Sequence, residues 1–216
     1  AMSGDYAWAA GAILLSSIFD ILDGRIARLT RGTSEFGVQY DSLCDLVSFG
    51  LAPAFLMYQY SLIRLDRLGW ILCFIFVACG ALRLARFNVQ SSIGKASGDF
   101  TGLPIPMSAG VIACLVTVLE DLTAFQTSDS GFLRTIYELS SSVFIRNGIF
   151  AVLAPSLALL MVSNVAYRSH KSINVKFIKP FRLLAILVVL VGVIAYNPPL
   201  GGFLFFFSYA LSGLFE

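Results

Sequence analysis

The chain has 216 residues, of which 57% are hydrophobic and 13% charged, and its mean hydropathy is +0.82; so apolar a balance excludes an ordinary soluble domain and points to a membrane protein. Fifteen Lys and Arg against thirteen Asp and Glu leave a formal charge of +2, which supplies no global basic field and excludes nucleic acid as a partner. The four cysteines, Cys44, Cys73, Cys79 and Cys114, lie in apolar stretches without metal-ligand spacing, and read as small buried hydrophobes rather than a zinc site or disulfide framework.

A bilayer core about 30 Å thick needs roughly 20 apolar residues per helix. Seven such stretches are predicted, at about 6–29, 37–60, 68–89, 104–120, 146–167, 181–196 and 199–215. The helix-breaking Asn197-Pro198-Pro199 parts the last two, which are short enough for one to be re-entrant or interfacial. The fold class is therefore all-α, a polytopic transmembrane bundle forming a single domain over residues 1–216. With the break at 30–36 in the cytoplasm, Arg25, Arg28, Arg31, Arg83, Arg86, Lys95, Arg168, Lys171, Lys176, Lys179 and Arg182 gather on that side, and only Arg64, Arg67, Arg134 and Arg146 lie opposite. This asymmetry sets the orientation, with Ala1 on the outer side and an earlier segment expected to be missing.

Between the spans, residues 121–145 form the longest polar break and are read as an outer loop or interfacial helix without chemistry. Residues 168–180 are a basic connector that the topology explains, and that also suits anionic headgroups. His170, the sole histidine, sits there among like charges as a solvated loop residue.

The informative stretch is Asp20-Ile-Leu-Asp23-Gly24-Arg25-Ile-Ala27-Arg28, eight further residues, then Gly37-Val-Gln-Tyr-Asp41-Ser-Leu-Cys-Asp45. Ionisable groups inside spans cost at least about 2.5–3.5 kcal/mol each near the centre, and are functional by default. On helices Asp20 and Asp23 are i,i+3 and Asp41 and Asp45 are i,i+4, so each pair shares a face. The short break makes the two spans antiparallel neighbours and lets all four carboxylates converge near the cytoplasmic boundary. Four such charges at close range demand neutralisation. An all-oxygen cluster suits hard divalent cations, magnesium or manganese, and two ions bridged by carboxylates form a clamp for phosphoryl oxygens. Gly24 and Gly37, with Ala27, keep the surroundings small enough for a nucleotide, and Arg28 offers a fork of donors to phosphate. Two other readings of the acids remain open: helix caps paired with Arg25, Arg28 and Arg31, and an ion-conducting path.

These residues match the pattern D-x2-D-G-x2-A-R-x8-G-x3-D-x3-D at every fixed position, and on it the chain resembles the CDP-alcohol phosphotransferases of integral membranes. Further stretches resemble the phosphatidylserine synthase branch of that family: Asp41 to Ala54, Cys79-Gly-Ala-Leu-Arg83-Leu-Ala-Arg86-Phe-Asn88, and Gly102-Leu-Pro104-Ile-Pro106. The resemblance implies that Asp20, Asp23 and Asp41 chiefly hold two divalent ions, and that Asp45 is the general base with a metal contact of its own. It also implies a CDP pocket formed by Asp20, Gly24, Ala27, Arg28 and Gly37. The substrates implied are CDP-diacylglycerol and L-serine, with CMP as product, in a homodimer among membrane lipids of a prokaryotic cell membrane, its active site at the cytoplasmic face. Family members usually carry a further N-terminal span, which this sequence begins too late to include.

A serine site needs a cation for the amino-acid carboxylate, and Arg83 and Arg86, at i,i+3 near the cytoplasmic end of the third span, are the candidates. Either could instead bind phosphate or snorkel to headgroups. Asn88, Ser48 and Gln39 are polar handles for the pocket or for interhelical hydrogen bonds. A sibling enzyme accepting inositol phosphate or glycerol phosphate, or a cation transporter, would keep the same aspartates.

Overall fold

The computed structural model describes residues 4–30, 34–92, 99–124, 142–168, 192 and 197–213, and the account below concerns these. All of the predicted span 181–196 but residue 192, His170 and nearly all of the basic connector lie outside them, as do most of the outer loop and the side chains of Ala27 and Arg28.

The described residues are helical apart from one short ladder. Helix α1 (Tyr6–Thr30) is followed by α2 (Glu35–Asp45), a π-helical turn (Leu46–Leu51) and α3 (Ala52–Tyr60) in one continuous helical run. Next come a 3-10 turn (Leu62–Leu65), α4 (Arg67–Ser92), β1 (Asp99–Thr101), α5 (Ile105–Ala124), α6 (Val143–Val162), β2 (Ala166–Arg168) and α7 (Pro198–Ser212). Four helices are long and apolar enough to cross a membrane: α1 over Tyr6–Ile26, α4, α5 over Ile105–Leu122, and α6. The run 35–60 corresponds to the predicted second span, and α7 to the last.

Two boundaries depart from the sequence reading. The stretch expected to be helical over 146–167 starts earlier, at Val143, and stops at Val162. Beyond it β2 pairs antiparallel with β1, Phe100 opposite Tyr167. Gly102 makes this junction possible: its φ is +82°, and an added Cβ would sit 2.3 Å from the Met161 carbonyl. Its amide donates to the Val165 carbonyl at 2.9 Å, and that of Leu103 to the Leu160 carbonyl at 3.0 Å, so the chain leaving β1 satisfies the end of α6.

The π-helical turn has a local cause. Pro53 has no N–H to offer the Phe49 carbonyl, and the ladder ahead of it widens to i→i+5 spacing, with the Ala52 amide donating to the Val47 carbonyl.

Helix α5 is the centre of the bundle. Ile105, Ala109, Val111, Ile112, Ala113 and Val116 are fully buried, and α1, α7 and the π-helical turn pack around them. Small residues allow the close approach: a Cβ on Gly80 would meet Ile105 at 2.6 Å, and one on Gly110 would meet the Phe206 ring at 2.6 Å. Large apolar side chains of α1 such as Leu15, Ile18 and Ile26 are instead exposed, the outward face expected of a helix solvated by lipid.

Candidate active site

Helices α1 and α2 bring the aspartates together. Helix α1 ends at Thr30 and α2 begins at Glu35, its start fixed by Ser34, whose hydroxyl accepts a hydrogen bond from the Gly37 amide at 3.0 Å. The turned-back chain sets Asp41 and Asp45 against Asp20: each offers a carboxylate oxygen, and these lie within 4.8 Å of one another. Oxygens gathered this closely favour the sharing of a proton or a cation between them. Asp23 stands outside this three-way cluster but lines the same cavity.

That cavity holds about 190 Å³ and is lined by Ser16, Phe19, Asp20, Asp23, Asp41, Cys44, Asp45, Ser48 and Phe49. It is below the roughly 300–1,000 Å³ of a small-molecule pocket, a size for ions and phosphate oxygens rather than a whole nucleotide-lipid. Asp41 and Asp23 are exposed, Asp20 and Asp45 half-buried, so the site grades from open water into the bundle.

Of the other residues singled out from the sequence, Gly24 is half-buried on the same helix as Asp20 and Asp23, and Gly37 is exposed in the first turn of α2. Arg83, on α4, is within electrostatic range of Asp45 and Tyr209, with its guanidinium 5.7 Å from the centre of the Phe87 ring. Arg86 turns elsewhere. It donates to the Ser163 carbonyl at 3.2 Å and to Asn164 Oδ1 at 3.3 Å, tying α4 to the end of α6. Asn88 and Gln39 are joined across α4 and α2, while Ser48 lines the cavity.

Cys44 corrects the reading of the cysteines. Cys73 and Cys114 are buried as expected, and the Cys73 thiol donates to the Ala54 carbonyl at 3.3 Å. Cys44 is exposed and lines the cavity, because it lies on α2, among whose residues none is buried. Ser16, Phe19 and Phe49 were not anticipated. Ser16 was legible in principle, one helical turn before Asp20 on the same face; an apolar ring inside a span carries no such signal.

Comparison with known proteins matches the family model for CDP-alcohol phosphatidyltransferase to residues 1–145. The chain belongs to the CDP-alcohol phosphatidyltransferase family. A CDP-diacylglycerol–serine O-phosphatidyltransferase of Helicobacter pylori is 36% identical over 193 residues, 89% of this chain and 73% of that protein. One of Methanocaldococcus jannaschii is 38% identical over 158 residues, 73% of this chain and 62% of that protein. An archaetidylserine synthase of Methanothermobacter thermautotrophicus is 35% identical over 157 residues, 72% and 55% of the two chains. Within the family match fall all four aspartates, both glycines of the pattern, and Arg83 and Arg86.

Proposed function

We propose that this chain is a CDP-diacylglycerol–serine O-phosphatidyltransferase, an enzyme of phospholipid biosynthesis that moves a phosphatidyl group from CDP-diacylglycerol to the hydroxyl of L-serine and releases CMP. The observation that carries the reading is the meeting of Asp20, Asp41 and Asp45 from two antiparallel helices in a chain whose relatives are serine-using synthases.

The donor set fits two hard divalent cations, magnesium or manganese: it is all oxygen, acidic, and open to water on one side. Asp20, Asp23 and Asp41 would hold them, with a further contact from Asp45. When bound, such ions offset phosphoryl charge and stabilise the departing CMP. Gly24, Ala27 and Gly37 would border the CDP moiety beside Asp20, and Arg28 would pair with its phosphate. Asp45 accepts the serine hydroxyl proton while the serine oxygen attacks the phosphorus that carries the diacylglycerol; the bond from that phosphorus to the CMP oxygen breaks, and its electron pair leaves with CMP. No covalent enzyme intermediate is needed.

Arg83 is the better of the two arginines for the serine carboxylate, since Arg86 is committed to Ser163 and Asn164. The same reading includes seven membrane spans in one domain over 1–216, a homodimer, and a site opening to the cytoplasm of a prokaryotic cell. There the acyl chains stay in lipid while serine arrives from water.

The test is CMP release from CDP-diacylglycerol by the purified full chain with Mg²⁺ or Mn²⁺ and a panel of acceptors. Release that depends on both serine and the divalent ion is expected. Release with inositol phosphate or glycerol phosphate in place of serine would keep the family chemistry and overturn the acceptor; cation flux without CMP would overturn both.

A further inference from the structure

Helix α2 carries two of the clustered carboxylates yet buries none of its residues, so packing does little to fix its rotation about its own axis. Two hydrogen bonds donated by one residue of α4 do that work. The Asn88 Nδ2 donates to Ser42 Oγ at 3.0 Å and to Gln39 Oε1 at 3.3 Å, while the Ser42 hydroxyl hydrogen has the Val38 carbonyl at 3.1 Å and Asn88 Oδ1 at 3.3 Å as acceptors. Gln39 and Ser42 are i,i+3 and share a flank of α2. At 100° per residue that flank lies about 110° around the helix from the mean direction of Asp41 and Asp45. A grip there controls roll: with side-chain tips about 6 Å from the axis, a roll of about 10° carries the carboxylates about 1 Å. Displacements of that size at a reacting centre cost on the order of 100-fold in rate.

We infer that Asn88 is a positioning residue, an amide clamp on Ser42 and Gln39 that sets the roll of α2 and so aims Asp41 and Asp45 at Asp20. It does not touch substrate in this role. The inference rests on the divalent-ion reading of the cluster given above. The same stretch of α4 gives the clamp a firm base, because Arg86, half a turn away, is bonded to the end of α6.

The experiment titrates Mn²⁺ against the full-length protein in lipid nanodiscs, following the free-ion signal by electron paramagnetic resonance, and repeats the titration with CMP release as readout. Asn88→Ala should raise the half-saturating Mn²⁺ about 10- to 100-fold in both readouts, the range typical of groups that orient metal ligands. Ser42→Ala should shift it in the same direction, and the double variant should be no worse than Asn88→Ala alone, since both remove one clamp. If Asn88→Ala does not fold, Ser42→Ala and Gln39→Ala carry the test from the other side of the contact. An unchanged Mn²⁺ titration, additive losses, or a rise confined to the serine KM would overturn the clamp. Wild-type protein that binds no Mn²⁺, or binds it equally well as Asp20→Asn, would instead overturn the metal reading and the clamp with it.

Discussion

Asp45 and Asp23 line one cavity, and the proposed mechanism gives them different roles. A base that takes a proton in the transition state contributes about 10²- to 10⁴-fold, so Asp45→Asn should lower kcat by at least that range while CDP-lipid binding, followed by ligand fluorescence or calorimetry, is largely kept. Asp23→Asn should weaken Mn²⁺ and nucleotide binding together; full turnover in the Asp45 variant would remove its role as base. The arginines should separate in the same way. Arg83→Ala is expected to raise the serine KM more than the CDP-diacylglycerol KM. Arg86→Ala should lower thermal stability and affect both substrates alike, because its bonds run to Ser163 and Asn164. At this scale the acids were legible, since a carboxylate in an apolar span has few reasons to exist. Arg83 and Arg86 were not separable from their i,i+3 spacing, because only the path of α6 decides which finds a carbonyl. Phe19 and Phe49 gave no signal at all in a sequence where apolar residues are the background.

Among the elements, the antiparallel pairing of the first two spans followed from a break too short for anything else, and the helical spacing of the aspartates chose the faces that meet. The π-helical turn after Asp45 was not foreseen, though Pro53 marks its cause. Nor was the ladder of β1 with β2, in which three residues a side are too few to show alternation. Tyr167 nevertheless anchors it: the ring stacks on Tyr209 with centroids 5.6 Å apart, and the hydroxyl donates to the Ala210 carbonyl at 3.0 Å. The ladder thus connects α6 to α7. Gly102 is its least replaceable residue, combining a left-handed φ with a backbone carbonyl where a Cβ would go. Gly102→Ala should cost about 1–3 kcal/mol, whereas Gly11→Ala, in a helical position with open space around it, should gain about 0.5–1 kcal/mol. Thermal unfolding of the detergent-solubilised protein checks both, and equal melting temperatures would contradict the assignment. At the other end of the bundle the Arg146 guanidinium lies 4.8 Å over the Tyr60 ring, and the Ser61 hydroxyl and Asn147 amide bond at 2.8 Å. Arg146, one of the few basic residues on the side opposite the cluster of positive charges, therefore has a packing role.

For the molecule as a whole, the membrane assignment rests on composition and on four helices of spanning length. Sidedness has a built-in probe. Cys44 is exposed in the site, and Cys73 and Cys114 are buried, so a membrane-impermeant maleimide should label Cys44 in inverted vesicles and not in right-side-out ones, with Mn²⁺ and CDP slowing the reaction. Labelling from the outer face would reverse the orientation drawn from the arginines and lysines. Sequence alone supports the orientation because positive charges near span ends record insertion; it does not rank the spans by burial, and the central place of α5 emerges only from packing.

The claim beneath all of this is that carboxylates from two helices form one divalent-ion site. Anomalous diffraction from Mn²⁺-soaked crystals of the full chain measures it directly. Two manganese peaks are predicted, enclosed by Asp20, Asp23 and Asp41 with Asp45 at their edge; crystals saturated with Mn²⁺ but showing no peak among these oxygens would contradict it.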